Sequence, residues 1–149
     1  MINKNISAKF LQQNKLISLL ILKLLKSGKK SIARRIVYCS LDIISKKTNK
    51  NPEKFFETAL HNLIPKIGIK TKNIKSSIYQ VPIEIKRIQG VKIALNLLLK
   101  ATKNSIGLNM AEKLSNEIME AYKSAGSPSK HKKQTQNVVG SKALAKFQN

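Results

Sequence analysis

Apolar residues recur along this chain at two different spacings, and the change of spacing marks its organisation. Over most of the 149 residues the period is helical. Leu16 to Leu25 is interrupted only by Ser18 and Lys23, so it predicts a buried first helix, apolar around most of its circumference. Gly28 is a natural stop for it. Ser31 offers a cap to a second helix, whose inward set reads Ile32, Ile36, Val37, Leu41 and Ile44. Asn51-Pro52-Glu53 then combines a capping side chain, a proline where no N–H is needed and an acid at the positive dipole end. The third helix it starts presents Phe55, Phe56, Ala59, Leu60, Leu63 and Ile64 on one face, and Pro65 ends it. A fourth helix is predicted from about Val91 to Lys103, with Ala94, Leu95, Leu98 and Leu99 inward. A fifth carries Met110, Ala111, Leu114, Ile118 and Ala121, and Asn109 with Glu112 has the spacing of a capping box.

Between the third and fourth helices the period falls to two. In the stretch 66–87, two short runs alternate apolar and polar residues, as strands do. Val81, Ile83 and Ile85 share one face, and Gln80, Pro82 and Glu84 the other. Pro82 has no N–H for a ladder, which places its strand at an edge or in a two-stranded ribbon. Six Lys and Arg residues against one acid, Glu84, make this ribbon basic. The bland alternative is a solvated hairpin that links two helices.

The ends are less patterned. Residues 1–15 form a polar, basic N-terminal arm. Residues 125–129 are a turn, and 130–149 a basic C-terminal helix or tail, in which Val138, Val139, Ala143, Leu144 and Phe147 favour a helix while Gly140 weakens it. No internal repeat or hinge divides the chain, so residues 1–149 are expected to form a single domain.

Charge sharpens this picture. There are 29 Lys and Arg against 7 Asp and Glu, a formal net charge of +22. A surface that merely solubilises would mix both signs, whereas this imbalance selects a polyanionic partner, nucleic acid first and an anionic membrane surface second. Nine basic residues and no acid occupy positions 1–41, and no acid follows Glu120. The longest apolar run is too short for a bilayer, which needs about 20 residues, so no membrane partner is expected.

Catalytic chemistry has little to work with. His61 and His131 lie on separate segments without partnering carboxylates, and His61 reads as a partly buried structural residue on the third helix. Cys39, the single cysteine, reads as a small core or flank residue and permits no internal disulfide. Ser27-Gly-Lys-Lys-Ser31 lacks the upstream glycine of a phosphate loop and follows a helix instead of a strand. No enzyme, metal site or cofactor is expected.

From about Leu16 onward the chain resembles the small-subunit ribosomal protein S-seven family, universal uS-seven. Four stretches carry the likeness in the family's order. They are Gly28-Lys-Lys-Ser31 leading to Ala33 and Ile36-Val-Tyr38, Phe56-x-x-Ala-Leu-x-Asn62-x-x-Pro65, Tyr79-Gln-Val-Pro-Ile-Glu84, and Met110-Ala-x-Lys-Leu-Ser-x-Glu117. The third is the most specific. The resemblance implies a mainly α fold, a six-helix bundle with a protruding two-stranded β-ribbon between helices three and four. It also implies a structural constituent of the ribosome that binds the three-prime major domain of small-subunit rRNA and organises the subunit head near the exit site. The family's basic ribbon loop maps onto Lys70, Lys72 and Lys75, and its basic helix start onto Lys29 and Lys30. The full set of expected RNA contacts adds Arg34, Arg35, Lys86, Arg87, Lys103, Lys132 and Lys133. Implied partners are the rRNA, neighbouring head proteins, and exit-site tRNA or mRNA near the ribbon.

Departures from the family pattern fall on contact residues. Lys75-Ser76 stands where members carry Gly-Gly, which implies a looser or shifted turn. Gln89-Gly90 replaces an arginine pair, Asn96-Leu97 an Arg-Trp pair, and a His-Arg signature is missing near Thr135 to Val139. The 26 lysines to 3 arginines and 19 isoleucines to 5 valines have the skew of AT-biased coding. With no targeting peptide read at the N-terminus, this points to an organelle-encoded mitochondrial protein, the alternatives being a plastid or the bacterial cytoplasm. Two other functions account for the charge. A DNA-compacting protein leaves the Tyr79 to Glu84 match unexplained, and a cationic peripheral membrane protein needs a cleaner polar face than Leu16 to Leu25 provides.

Overall fold

The structure, a computed structural model, describes residues 15–125 together with Lys130, Lys133 and Asn137. Within them the chain forms α1 (Lys15–Leu24), α2 (Lys30–Thr48), α3 (Pro52–Leu63), β1 (Ile67–Ile74), β2 (Ser77–Glu84), α4 (Arg87–Asn104) and α5 (Met110–Tyr122). The predicted sixth helix falls on 130–149, where only Lys130, Lys133 and Asn137 are described, each helical. Five helices and one two-stranded antiparallel sheet are therefore the architecture among the described residues. The basic arm at 1–15 lies outside them except for Lys15.

Helix α5 is the hub, packed against α2, α3 and α4, while α1 rests on α2 and α4. Its inward stripe, Leu114, Ile118 and Ala121, meets Val37, Leu41 and Ile44 of α2 and Phe56, Ala59, Leu60 and Leu63 of α3 in one core. The helical period placed most of these correctly. Two readings are corrected. Ile32 is 43% exposed, and Ala33 takes the buried position instead, one step round the helix. In α1, Leu22 is 56% exposed, and Ile17, Leu20 and Ile21 alone are buried. A ten-residue helix lying on only two neighbours buries one stripe, however apolar its remaining circumference.

Caps were read with mixed success. Asn51 caps α3 as predicted, its side chain accepting the Glu53 N–H at 3.1 Å. Ser31 does not cap α2, which begins a residue before it with Lys29 at the cap position and no side-chain bond. Asn109 precedes α5 but likewise makes no side-chain cap bond. Asn62, three residues before the ribbon's Pro65, donates from Nδ2 to the carbonyls of Ala121 at 3.4 Å and Tyr122 at 3.1 Å, tying the end of α5 to α3. Tyr122 also stacks on Phe55, with ring centroids 4.0 Å apart.

The ribbon is a regular antiparallel pair from Ile67↔Glu84 to Ile74↔Ser77. Its two-residue turn is Lys75-Ser76, both in the left-handed region at φ 46° and 68°. This is the turn whose twist suits a hairpin, held here by side chains where glycine would be unstrained. The expected looser or shifted turn is thus replaced by a tight one at the same two residues.

Where the ribbon meets the body, two glycines are closely approached by isoleucine side chains. A Cβ on Gly68 would meet Ile85 Cδ1 at 2.6 Å, and one on Gly90 would meet Ile64 Cγ2 at 2.8 Å. Ile85 itself donates its N–H to the Lys66 carbonyl at 3.3 Å, which extends the ladder one pair past the strands. Helix α4 accordingly starts at Arg87, four residues before the predicted Val91, because Gly90 in its first turn lets Ile64 lie against the backbone. Gly90→Ala is expected to destabilise the fold by about 1–3 kcal/mol through overpacking against a branched side chain, despite alanine's better helix propensity. A gain in denaturation midpoint would show that Ile64 gives way freely.

Candidate nucleic-acid interface

The predicted contact residues divide by location. Lys29 and Lys30 lead α2, and Lys86 and Arg87 lead α4; all four are exposed. Both helices start without a side-chain cap and without an acid in the first turn. In α2 the Lys30 N–H donates to the Gly28 carbonyl at 2.9 Å, and at both helices the positive dipole end adds to the flanking cations. Such an end suits a phosphate. Helix α3, with its Asn51 cap and Glu53, starts in the opposite way.

At the ribbon root the Lys66–Ile85 backbone bond brings Lys66 beside the Lys86-Arg87 pair. Lys66 is exposed, and sequence reasoning did not single it out, although its place directly after Pro65 marked it as the ribbon's first residue. At the opposite end, Lys75 is exposed on the turn. The register pairs Lys70 with Val81 and Lys72 with Tyr79, so the lysine positions of β1 lie across from apolar positions of β2.

Three assignments fare differently. Arg34 is only half exposed, and its Nε is buried without a hydrogen-bond partner. It lies close enough to Tyr38 to oppose the upward push that burial gives the phenol, while Glu53 adds to that push. Arg35, its neighbour, is exposed and free of this packing. Lys103 sits in the last turn of α4, about 25 Å from Arg87 along the axis, where a cation complements the negative dipole end. It does not join the ribbon-root group. Lys132 lies outside the described residues, and Lys133 is helical and exposed.

Other lysines serve the fold. Lys47 Nζ donates to Asn116 Oδ1 at 3.5 Å, and Lys50 Nζ lies 5.5 Å from the Tyr122 ring centroid. His61 is exposed, contrary to its reading as partly buried, because it lies opposite the Leu60 and Leu63 stripe of α3. Cys39 is half-buried on the flank of α2, as expected. Among the described residues no group of three His, Cys, Asp or Glu side chains is placed to hold a metal ion, and no helix is long and apolar enough to cross a membrane.

Sequence reasoning also missed the chain's most buried carboxylate. Glu117 is 4% exposed on α5, and its Oε2 has no hydrogen-bond partner. Burial pushes the carboxyl above its ordinary value; a hydrogen bond from Ser105 opposes the shift, and the charge of Glu120 adds to it. A raised folded-state pKa means that folding penalises the charged form. The related stability is full at acid pH and is lost as pH rises through the shifted value. Glu117→Gln should therefore melt above the parent at neutral pH, with the difference vanishing below about pH 4. A variant less stable at neutral pH would mean that the carboxylate is well satisfied where it sits.

The chain is similar to known proteins over most of its length. A family model described as ribosomal protein S7p/S5e matches residues 2–142. A small ribosomal subunit protein uS7 from Acaryochloris marina (strain MBIC 11017) is 35% identical over 135 residues, which cover 90% of this chain and 86% of that protein. The match spans the five helices α1–α5 and the ribbon, and the chain belongs to the ribosomal protein S7p/S5e family.

Proposed function

We propose that this chain is an architectural protein of the small ribosomal subunit that binds the three-prime major domain of its rRNA and organises the subunit head near the exit site. As a member of its family it is a structural, non-enzymatic, rRNA-binding constituent of that subunit. The observation that carries the finer reading is the ribbon root, where exposed Lys66, Lys86 and Arg87 meet an uncapped helix start. Phosphate neutralisation supplies most of the affinity, and the shape of body and ribbon supplies selectivity. Lysine contributes there as a point charge, without the forked hydrogen bonds of arginine.

The ribbon reaches beyond the helical body, which suits it to the vicinity of exit-site tRNA or mRNA, with neighbouring head proteins around the bundle. The lysine and isoleucine skew supports AT-biased coding of the kind an organellar genome shows, with a mitochondrion as the first reading and a plastid or the bacterial cytoplasm as the alternatives.

Sucrose-gradient sedimentation of a lysate at raised salt tests the assembly. The chain should stay with the small subunit and, once purified, bind a three-prime major domain fragment in preference to random RNA of equal length. Release from the particle with equal affinity for duplex DNA would favour a nucleic-acid-compacting protein instead. Co-purification with mitochondrial, plastid or bacterial small subunits identifies the compartment.

A further inference from the structure

Most of this molecule is a cationic surface, yet one place on it has the opposite character. An open cavity of about 570 Å³ lies between the end of α4 and one side of α5, lined by residues that include Asn104, Ser105, Ile106, Asn116, Glu117 and Glu120. Two of the chain's 7 acids therefore face one recess. Glu117 is nine-tenths buried there, and its Oε2 has no partner. Lys123 also lines the cavity, but it does not hydrogen-bond that oxygen. Beside the recess, the loop after α4 holds Ile106 at 98% and Leu108 at 96% exposed. Large apolar side chains left this bare beside a polar recess mark an interaction site.

We propose that this recess is a docking site for a basic segment of a neighbouring protein, whose arginine enters against Glu117 while apolar residues cover Ile106 and Leu108. The reading rests on the chain's place in the small ribosomal subunit. Nucleic acid is the wrong occupant, because phosphates would be brought against two carboxylates in a partly desolvated space. A cation is the right one. A buried carboxylate with one free oxygen is an unfinished ion pair, and leaving it so is costly. Arginine suits it better than lysine, since its planar fork can reach Oε2 and a second acceptor, such as the side-chain oxygen of Asn104 or Asn116, at the same time. The raised carboxyl pKa of the free protein is what an unoccupied cation site would give. Filling it would restore the ordinary charged state.

A photo-reactive benzoylphenylalanine placed at Ile106, in small subunits assembled with the tagged full chain, tests the proposal. Sedimentation with the subunit first checks membership separately. Irradiation should then give one protein adduct, mapped within about four residues of an arginine or lysine. In a Glu117→Gln background its yield should fall about tenfold, the loss of one charged hydrogen bond. A probe at Leu108 gives the same readout should the first position disturb incorporation. Adducts confined to rRNA or to this chain's own residues would overturn the proposal, as would no adduct from particles containing the chain. An adduct unchanged in yield by Glu117→Gln, in particles that incorporate the variant normally, would equally overturn it.

Discussion

Phe56→Ala is expected to lower the free energy of unfolding by about 3–5 kcal/mol. Phe56 is 1% exposed and belongs to the core that joins α3 to α2, α4 and α5. Removing the ring leaves a cavity that the neighbours cannot close, because Leu60 and Leu63 lie on the same stripe at 2% and 0% exposure and are already packed. Phe56→Leu, which retains most of the volume, should lose much less. Urea denaturation followed by circular dichroism measures both. A loss below about 1 kcal/mol for the alanine variant would mean that the inner face of α3 is misassigned.

The second large effect concerns binding. Replacing Lys70, Lys72 and Lys75 together by alanine should reduce the slope of log affinity against log salt by roughly 2–3 units, at about 0.7–0.9 per phosphate contact. Stability should hardly change, because the helical core includes no ribbon residue. The melting temperature and the RNA titration must be read together. If the slope stays constant while folding is normal, the ribbon leaves the RNA interface. Lys29, Lys30 and Arg35 at the start of α2 then carry it with Lys86 and Arg87.

The inner faces of α3, α4 and α5 were legible because each combines a strong period with several large apolar residues. The Asn51 cap was legible for a local reason: side chain, proline and acid all act within one turn. Ile32 and Leu22 were misplaced because a period fixes the relation among positions but not which edge of the stripe meets a neighbour. Ser31 and Asn109 fit cap patterns, yet the helix start at Lys30 puts the first out of place, and neither makes the bond. Four positions at the start of α4 were hidden by Gly90, which weakens a helix pattern locally and is required by Ile64 from elsewhere in the fold. Of the candidate contacts, basic residues at 29, 30, 86 and 87 were legible as charge, but their position on uncapped helix starts was not. Arg34 shows the reverse error. Its charge suggested a partner outside, whereas the side chain is partly buried and its charge acts on Tyr38. Glu117 stood out only as the last residue of a family stretch, and its burial gave no signal, since burial of a carboxylate is a property of three dimensions.

The central position of α5 also sets an order of events during synthesis. Helices α2, α3 and α4 all close against it, yet it follows all three in the chain. Until residue 122 has been made, the apolar stripes of those earlier helices have no common surface to cover them. At about 5–20 residues per second, the 18 residues that follow Asn104, up to and including Tyr122, take roughly one to four seconds. For that interval the nascent chain is strongly cationic and only partly closed. Its basic helix starts and ribbon are complete before the core is, so capture by a polyanion can begin before folding ends, and α5 serves as the latch on both.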